Sequence, residues 1–161
     1  MVFRHRWIPA VASVAALVSV GAALLGAAPV TGAPATLPGP IPAEVVEVID
    51  GDTLSVRAII WLGQSVETNI RLAGVDAPEL HAHCPQEKAM AESARDAARR
   101  LVGVGMVQLM DVQPDKYGGR VRARVRITSG DDLSEALLKT GLVRPYHGER
   151  RQSWCEAVNP S

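Results

Sequence analysis

The spacing of hydrophobic and polar positions changes several times along this chain, and each change marks an element. Residues 44–50, "EVVEVID", are β-branched and run into "DGDT", a strong turn signal; "TLSVRAIIWL" then resumes as a second strand, so the pair predicts a hairpin. "GQS" turns into "VETNIRLAGV", where Ile70 and Leu72 point one way and Asn69 and Arg71 the other. After "DAPELHAHCP" the period lengthens. Met90, Ala94, Ala97, Ala98 and Leu101 fall at three-and-four spacing, which predicts an amphipathic helix over "PQEKAMAESARDAARRLV" with Pro85 near its start. "MVQLMDV" reads as a fourth strand. Beyond the Gly-Gly turn of "DKYGGR", Val121, Ala123, Val125 and Ile127 alternate with Arg120, Arg122, Arg124 and Arg126, a half-buried strand with an arginine row on its open face. "DLSEALLKTGL" closes the series as a short helix, with Leu133, Leu137 and Leu138 inward and Gly141 as its stop. Three strands, a helix, two strands and a helix predict a mainly β protein with α elements. A five-stranded Greek-key barrel of the OB type with two or three helices suits that order. An open α+β sandwich also fits it.

The first 35 residues stand apart from this pattern. "MVFRHRW" is a short basic start, Ile8 to Ala28 is apolar without a charge, and small residues follow, including "APA" ending at Ala35. These are the three regions of a secretory signal peptide. The apolar run is also just long enough to span a bilayer, so an uncleaved N-terminal anchor is the alternative. Residues 36–42 read as a Pro/Gly linker and residues 43–161 as the domain, expected as a monomer outside the cytoplasm, secreted or periplasmic. A membrane is a partner only if the leader is kept. The whole chain has 17 basic and 17 acidic residues, and without Arg4 and Arg6 the remainder carries 15 against 17, a net of about −2. That is an awkward balance for a polyanion binder, whose footprint is usually basic.

The two cysteines, Cys84 and Cys155, fit an oxidising compartment. A bridge between them would pin the tail "GERRQSWC" to the start of the long helix and stabilise the fold by about 4 kcal/mol on the chain-entropy model. The competing reading is a metal site, because His81 and His83 flank Cys84, although the spacing matches no standard zinc pattern.

The candidate chemistry gathers in "RLAGVDAPEL", where Arg71, Asp76 and Glu79 crowd the end of a strand around Pro78. Taken alone, this is a local Arg–acid ion pair beside a strand-ending proline. Four stretches in register change that picture: "VIDGDT", "RLAGVDAPE", "DKYGGR" and "SEALLKTGL" together resemble the staphylococcal nuclease (thermonuclease) family over roughly Glu44 to Tyr146. The resemblance implies an OB-fold nuclease. By it, Asp52, Asp76 and the backbone carbonyl of Ala77 bind Ca²⁺, with Mg²⁺ as the other hard cation such oxygens suit. Ala77 replaces a threonine of the best-known member, a change that a carbonyl ligand survives. Glu79 then matches the glutamate that positions or deprotonates the attacking water, and Arg71 and Arg120 the guanidinium pair that clamps the phosphate. Lys116 and Tyr117 match positions beside the nucleotide's terminal phosphate, and Asp50 an acid behind the metal ligands.

The chain also departs from the family. "DKYGGR" carries one glycine more than "DKYGR", so strand alternation assigns the clamp to Arg120, with Arg122 as the fallback. The link from Asp52 to Arg71 is longer, the cysteine pair is not part of the familiar bacterial pattern, and the match weakens after Leu142. No stacking role is therefore carried to Tyr146. The arginine row either forms a basic strip or faces acids such as Glu67, Asp131 and Asp132. Two function classes remain: an exported Ca²⁺-dependent nuclease acting on DNA and RNA, and a non-catalytic OB-fold module binding nucleic acid or protein in the cell envelope. Retention of all the acids and arginines favours the first. An envelope-tethered structural domain with an unused site is a third reading.

Overall fold

A computed structural model describes residues 36–103 and 105–155. The expected leader, residues 1–35, lies outside the described residues. Strand β1 (Ile41–Asp50) turns through Gly51 and Asp52 into β2 (Thr53–Trp61), and β3 (Gln64–Leu72) follows. A two-residue strand β4 (Val75–Asp76) precedes helix α1 (Pro85–Val102); β5 (Met106–Pro114), β6 (Arg120–Arg126), helix α2 (Leu133–Thr140) and a short β7 (Arg144–Pro145) complete the order. Strands β1, β2, β3, β6 and β5 close into a barrel in that spatial order. The β3–β6 pair is parallel, with Arg71 opposite Arg122, while the other barrel pairs are antiparallel. Such a closed five-stranded barrel with α1 between its third and fourth strands is the OB topology, and it excludes the open sandwich.

The alternation read from the sequence fills the barrel. Leu54, Val56, Ile70, Leu72, Ala123 and Val125 are fully buried, joined by Leu133 and Leu137 from α2. Asp132 caps α2, accepting from the backbone N–H groups of Ser134 and Glu135, and Gly141 ends it in the left-handed conformation. Cys84 caps α1 and Pro85 takes its first position. The inward face of α1 is shifted from the expected stripe: Ala91, Ala94, Ala97, Ala98 and Val102 are buried, whereas Met90 and Leu101 are half-buried. Small side chains let this helix approach the β1–β2 turn closely. A Cβ on Gly51 would stand 2.7 Å from that of Ala94 and 2.8 Å from that of Ala77.

Two boundaries differ from the sequence expectation. Ile41 and Pro42, placed in the linker by composition, already pair with Leu109 and Gln108, and Leu37 bridges to Val112. The end of "TLSVRAIIWL" is extended, yet Trp61 is 73% and Leu62 90% exposed, because the lengthened β2–β3 hairpin runs past the barrel wall. Among the described residues, no helix is long and apolar enough to cross a membrane.

Candidate active site

The end of β3 and the turn around β4 carry the candidate chemistry to the rim of the barrel, where the β1–β2 turn meets them. Asp52 is fixed from three sides. Its Oδ2 accepts from the Ala77 N–H at 2.8 Å, its Oδ1 from the Thr53 hydroxyl at 3.0 Å, and the Arg71 guanidinium lies 2.8 Å from Oδ2. Asp50 Oδ1 accepts from the backbone N–H of Asp52 at 3.1 Å and so shapes the turn. Arg71 also faces Asp76 at 3.7 Å, so the local Arg–acid pairing does form, but as part of a larger cluster. Burial pushes the Asp52 carboxyl up to about 7; Arg71 opposes this, and the negative charge of Asp50 adds to it.

Asp76 is nearly inaccessible and held by residues from far along the chain. The indole N–H of Trp154 donates to its Oδ2 at 3.2 Å, and the Trp154 ring lies 3.6 Å beneath the Arg144 guanidinium. Its Oδ1 takes a charged hydrogen bond from Arg151. The same guanidinium bonds the Glu79 carboxylate and donates to the Ala77 carbonyl at 3.1 Å. Burial alone would lower the basicity of Arg151, but the hydrogen bond to Glu79 and the charges of Asp76 and Glu79 outweigh it and hold the cation more firmly charged. Three hard oxygens, from Asp76, Ala77 and Glu79, thus converge on one positive centre. That is the donor set expected for Ca²⁺ or Mg²⁺, and the guanidinium stands in for the cation. Asp76, Ala77 and Glu79 offer oxygens of the kind a hard metal ion takes, while Asp52 is held by Ala77, Thr53 and Arg71.

Arg71 continues into a cleft of about 590 Å³ lined also by Lys116, Tyr117, Arg120, Arg122, Tyr146 and Arg151. The expected clamp and both substrate-side positions are therefore brought together with Arg71. Tyr117 is exposed, with Lys116 Nζ and the Arg120 guanidinium each 5.0 Å from its ring centre. Arg120 is bound to Asp115, whose carboxyl is held below the usual range by hydrogen bonds from Arg120 and the Lys116 N–H despite desolvation. Arg122 bonds Gln113 at 2.7 Å. Farther along the row, Arg124 pairs with Asp132 and Asp111, so acids neutralise much of the arginine strip. Glu67, a candidate partner of that row, is paired instead with Arg57.

The tail reaches the site because Cys84 and Cys155 are joined, their Cα atoms 6.1 Å apart across a separation of 71 residues. Both sulfurs are consumed by the bridge and His81 and His83 are exposed, which removes the zinc reading. Arg151 and Trp154 are the functional neighbours that the motifs did not point to. The one signal for them was the cysteine pair, which implied that "GERRQSWC" lies beside α1.

None of the curated proteins matches the chain to significance. The family model for staphylococcal nuclease homologues matches residues 69–157, a span running from Arg71 through Arg120 to the Cys155 tail. Asp50 and Asp52 precede it and join the site through the β1–β2 turn. Since that match covers more than half of the chain and the barrel is the one such a domain requires, the chain belongs to the staphylococcal nuclease homologue family, whose members are typically nucleases and generally metal-dependent.

Proposed function

We propose that this protein is an exported, Ca²⁺-dependent nuclease that hydrolyses phosphodiester bonds of DNA and also of RNA, with Mg²⁺ as the alternative cation. One observation carries the reading: oxygens of Asp76, Ala77 and Glu79 converge on a single positive centre at the edge of a cleft lined by Arg71 and Arg120. Asp52, Asp76 and the Ala77 carbonyl would hold the ion, which supplies positive charge against the charge developing on the phosphate. Arg71 and Arg120 offer planar, bidentate donors to phosphate oxygens, and each now rests on a carboxylate that the phosphate would replace. Glu79, with half of its side chain accessible, would orient a water and accept its proton once released by Arg151. Attack of that oxygen on phosphorus forms the new P–O bond as the bond to the leaving oxygen breaks, and the leaving oxygen takes a proton from solvent. The disulfide and the leader-like N-terminus support export to an oxidising space, as a monomer that touches a membrane only if the leader is retained.

The test is degradation of single-stranded DNA at low salt, with Ca²⁺ and with EGTA, by the wild type, Glu79→Gln and Arg120→Ala. Cleavage should require Ca²⁺ and fall roughly 100-fold or more in each variant, with circular dichroism unchanged. Near-wild-type rates in both variants would sink the assigned roles. A second reading, a non-catalytic binding module, is favoured by the acids that already neutralise Arg120 and Arg124. It predicts DNA retention without cleavage under any divalent metal.

A further inference from the structure

The acidic seat already holds a cation supplied by the chain itself. Arg151 uses three nitrogens on three separate acceptors: Nε on Asp76, Nη1 on Glu79 and Nη2 on the Ala77 carbonyl. An exposed surface arginine that meets a single acid contributes little, but a fork engaging three oxygens, one of them on a buried carboxylate, is a specific fit. The arginine also sits four residues before Cys155, whose bond to Cys84 fixes the tail beside α1. Trp154 adds a second anchor, buried between Asp76 and Arg144. The guanidinium is therefore presented at high effective concentration rather than by chance encounter. Its neighbour Arg150 is exposed.

We propose that Arg151 is a tethered competitor for the metal seat: it sets the affinity of the site for divalent cations, and the Cys84–Cys155 bridge sets how strongly it competes. The inference rests on the metal-dependent reading above and deepens it. A metal ion entering between Asp76, Ala77 and Glu79 must displace the guanidinium, so its apparent affinity is reduced by the fraction of molecules in which Arg151 is seated. Once displaced, the side chain already borders the cleft beside Arg71 and Arg120, where its charge meets substrate instead of acids. Reducing the bridge loosens the tail and weakens the competitor, while Asp76, Ala77 and Glu79 remain on their own segment of the chain.

The experiment is calorimetric titration of the oxidised full-length protein with CaCl₂, comparing wild type, Arg151→Gln and Arg150→Gln, each also with dithiothreitol. Arg150→Gln makes the same change in net charge one residue away, so it separates displacement from general electrostatics. With Arg151 seated in about nine molecules of ten, Arg151→Gln should bind Ca²⁺ about tenfold more tightly, and Arg150→Gln within about twofold of wild type. Dithiothreitol should tighten binding in the wild type and do little in Arg151→Gln. The Cys84→Ser/Cys155→Ser double variant should repeat the effect of reduction, and urea titration confirms that each protein is folded. Equal affinity in wild type and Arg151→Gln, or weaker binding in the variant, overturns the competitor while leaving the metal reading intact. Absence of Ca²⁺ binding in every folded protein overturns the metal reading and the competitor together.

Discussion

Replacing Arg71 by methionine tests whether the acid cluster is a buried electrostatic unit. The change keeps the apolar stem and deletes the charge that lies 2.8 Å from Asp52 and 3.7 Å from Asp76. Exposure decides the magnitude: the side chains of Arg71, Asp52 and Asp76 are only 12%, 7% and 5% accessible. An exposed pair would contribute about 0–1 kcal/mol, whereas leaving a buried charge without its partner costs about 3–5 kcal/mol. Asp52 would keep its hydrogen bonds from Ala77 and Thr53, and Asp76 those from Trp154 and Arg151. With Asp52 kept ionised, above the value of about 7 to which burial pushes it, the expected loss in chelator is at the lower end, about 3 kcal/mol. At neutral pH, proton uptake by Asp52 relieves part of it. Urea denaturation followed by circular dichroism reads it as a lower midpoint with unchanged slope. Ca²⁺ at about 100 times its dissociation constant stabilises a folded protein by about 2.7 kcal/mol. By resupplying positive charge to Asp52 and Asp76, it should bring the variant in Ca²⁺ to within about 1 kcal/mol of wild type in chelator. A loss below about 1 kcal/mol in chelator would refute the burial argument. A variant that Ca²⁺ does not stabilise would show that the cation does not sit among these acids.

Three shorter predictions address the scaffold and the cleft. Opening the Cys84–Cys155 bridge releases a loop of 71-residue separation and should cost about 4 kcal/mol, seen as a lower urea midpoint in reductant; an unmoved midpoint would mean that the tail does not constrain the domain. Gly51→Ala drives a Cβ to within 2.7 Å of Ala94 and 2.8 Å of Ala77, so it should destabilise by about 1–3 kcal/mol and, by pushing on Ala77, weaken Ca²⁺ binding in calorimetry. A tolerated alanine with unchanged affinity would show that the turn and α1 can part freely. Tyr117→Ala removes the ring between Lys116 and Arg120 and should raise KM several-fold with little change in kcat, whereas a drop confined to kcat would place Tyr117 nearer the reacting atoms.

What the sequence made legible is what short-range physics controls. Alternation over "NIRL" set Ile70 and Leu72 inward and Arg71 outward, and the Asp-Gly turn brought Asp52 to the rim, because side-chain direction follows from backbone period alone. The apolar run "IIWL" misleads for the complementary reason. Hydrophobicity reports what a strand could bury, but exposure of Trp61 and Leu62 depends on whether the hairpin still has a barrel wall beside it. Likewise, the closure of β5 on β1 and the acids facing Arg124 come from chain segments that periodicity cannot relate to one another.

The least legible feature is also the one that completes the charge balance around Asp76. Asp76 and Arg151 are 75 residues apart, and nothing in the local pattern of either announces the other. In "RRQSW" the arginines look like a solvated pair and Trp154 like a stray aromatic. Only the covalent link from Cys155 to Cys84, at the cap of α1, carries the tail back past β4, and only there do Trp154 and Arg151 meet the same carboxylate. The motif residues thus specify an acidic seat with hard oxygens, while the tail specifies what balances that charge before any metal arrives. Near neutrality overall is compatible with such a site. On the proposed reading, affinity for a cation, and then for a polyanion, would be decided by which local partner each charge must first give up.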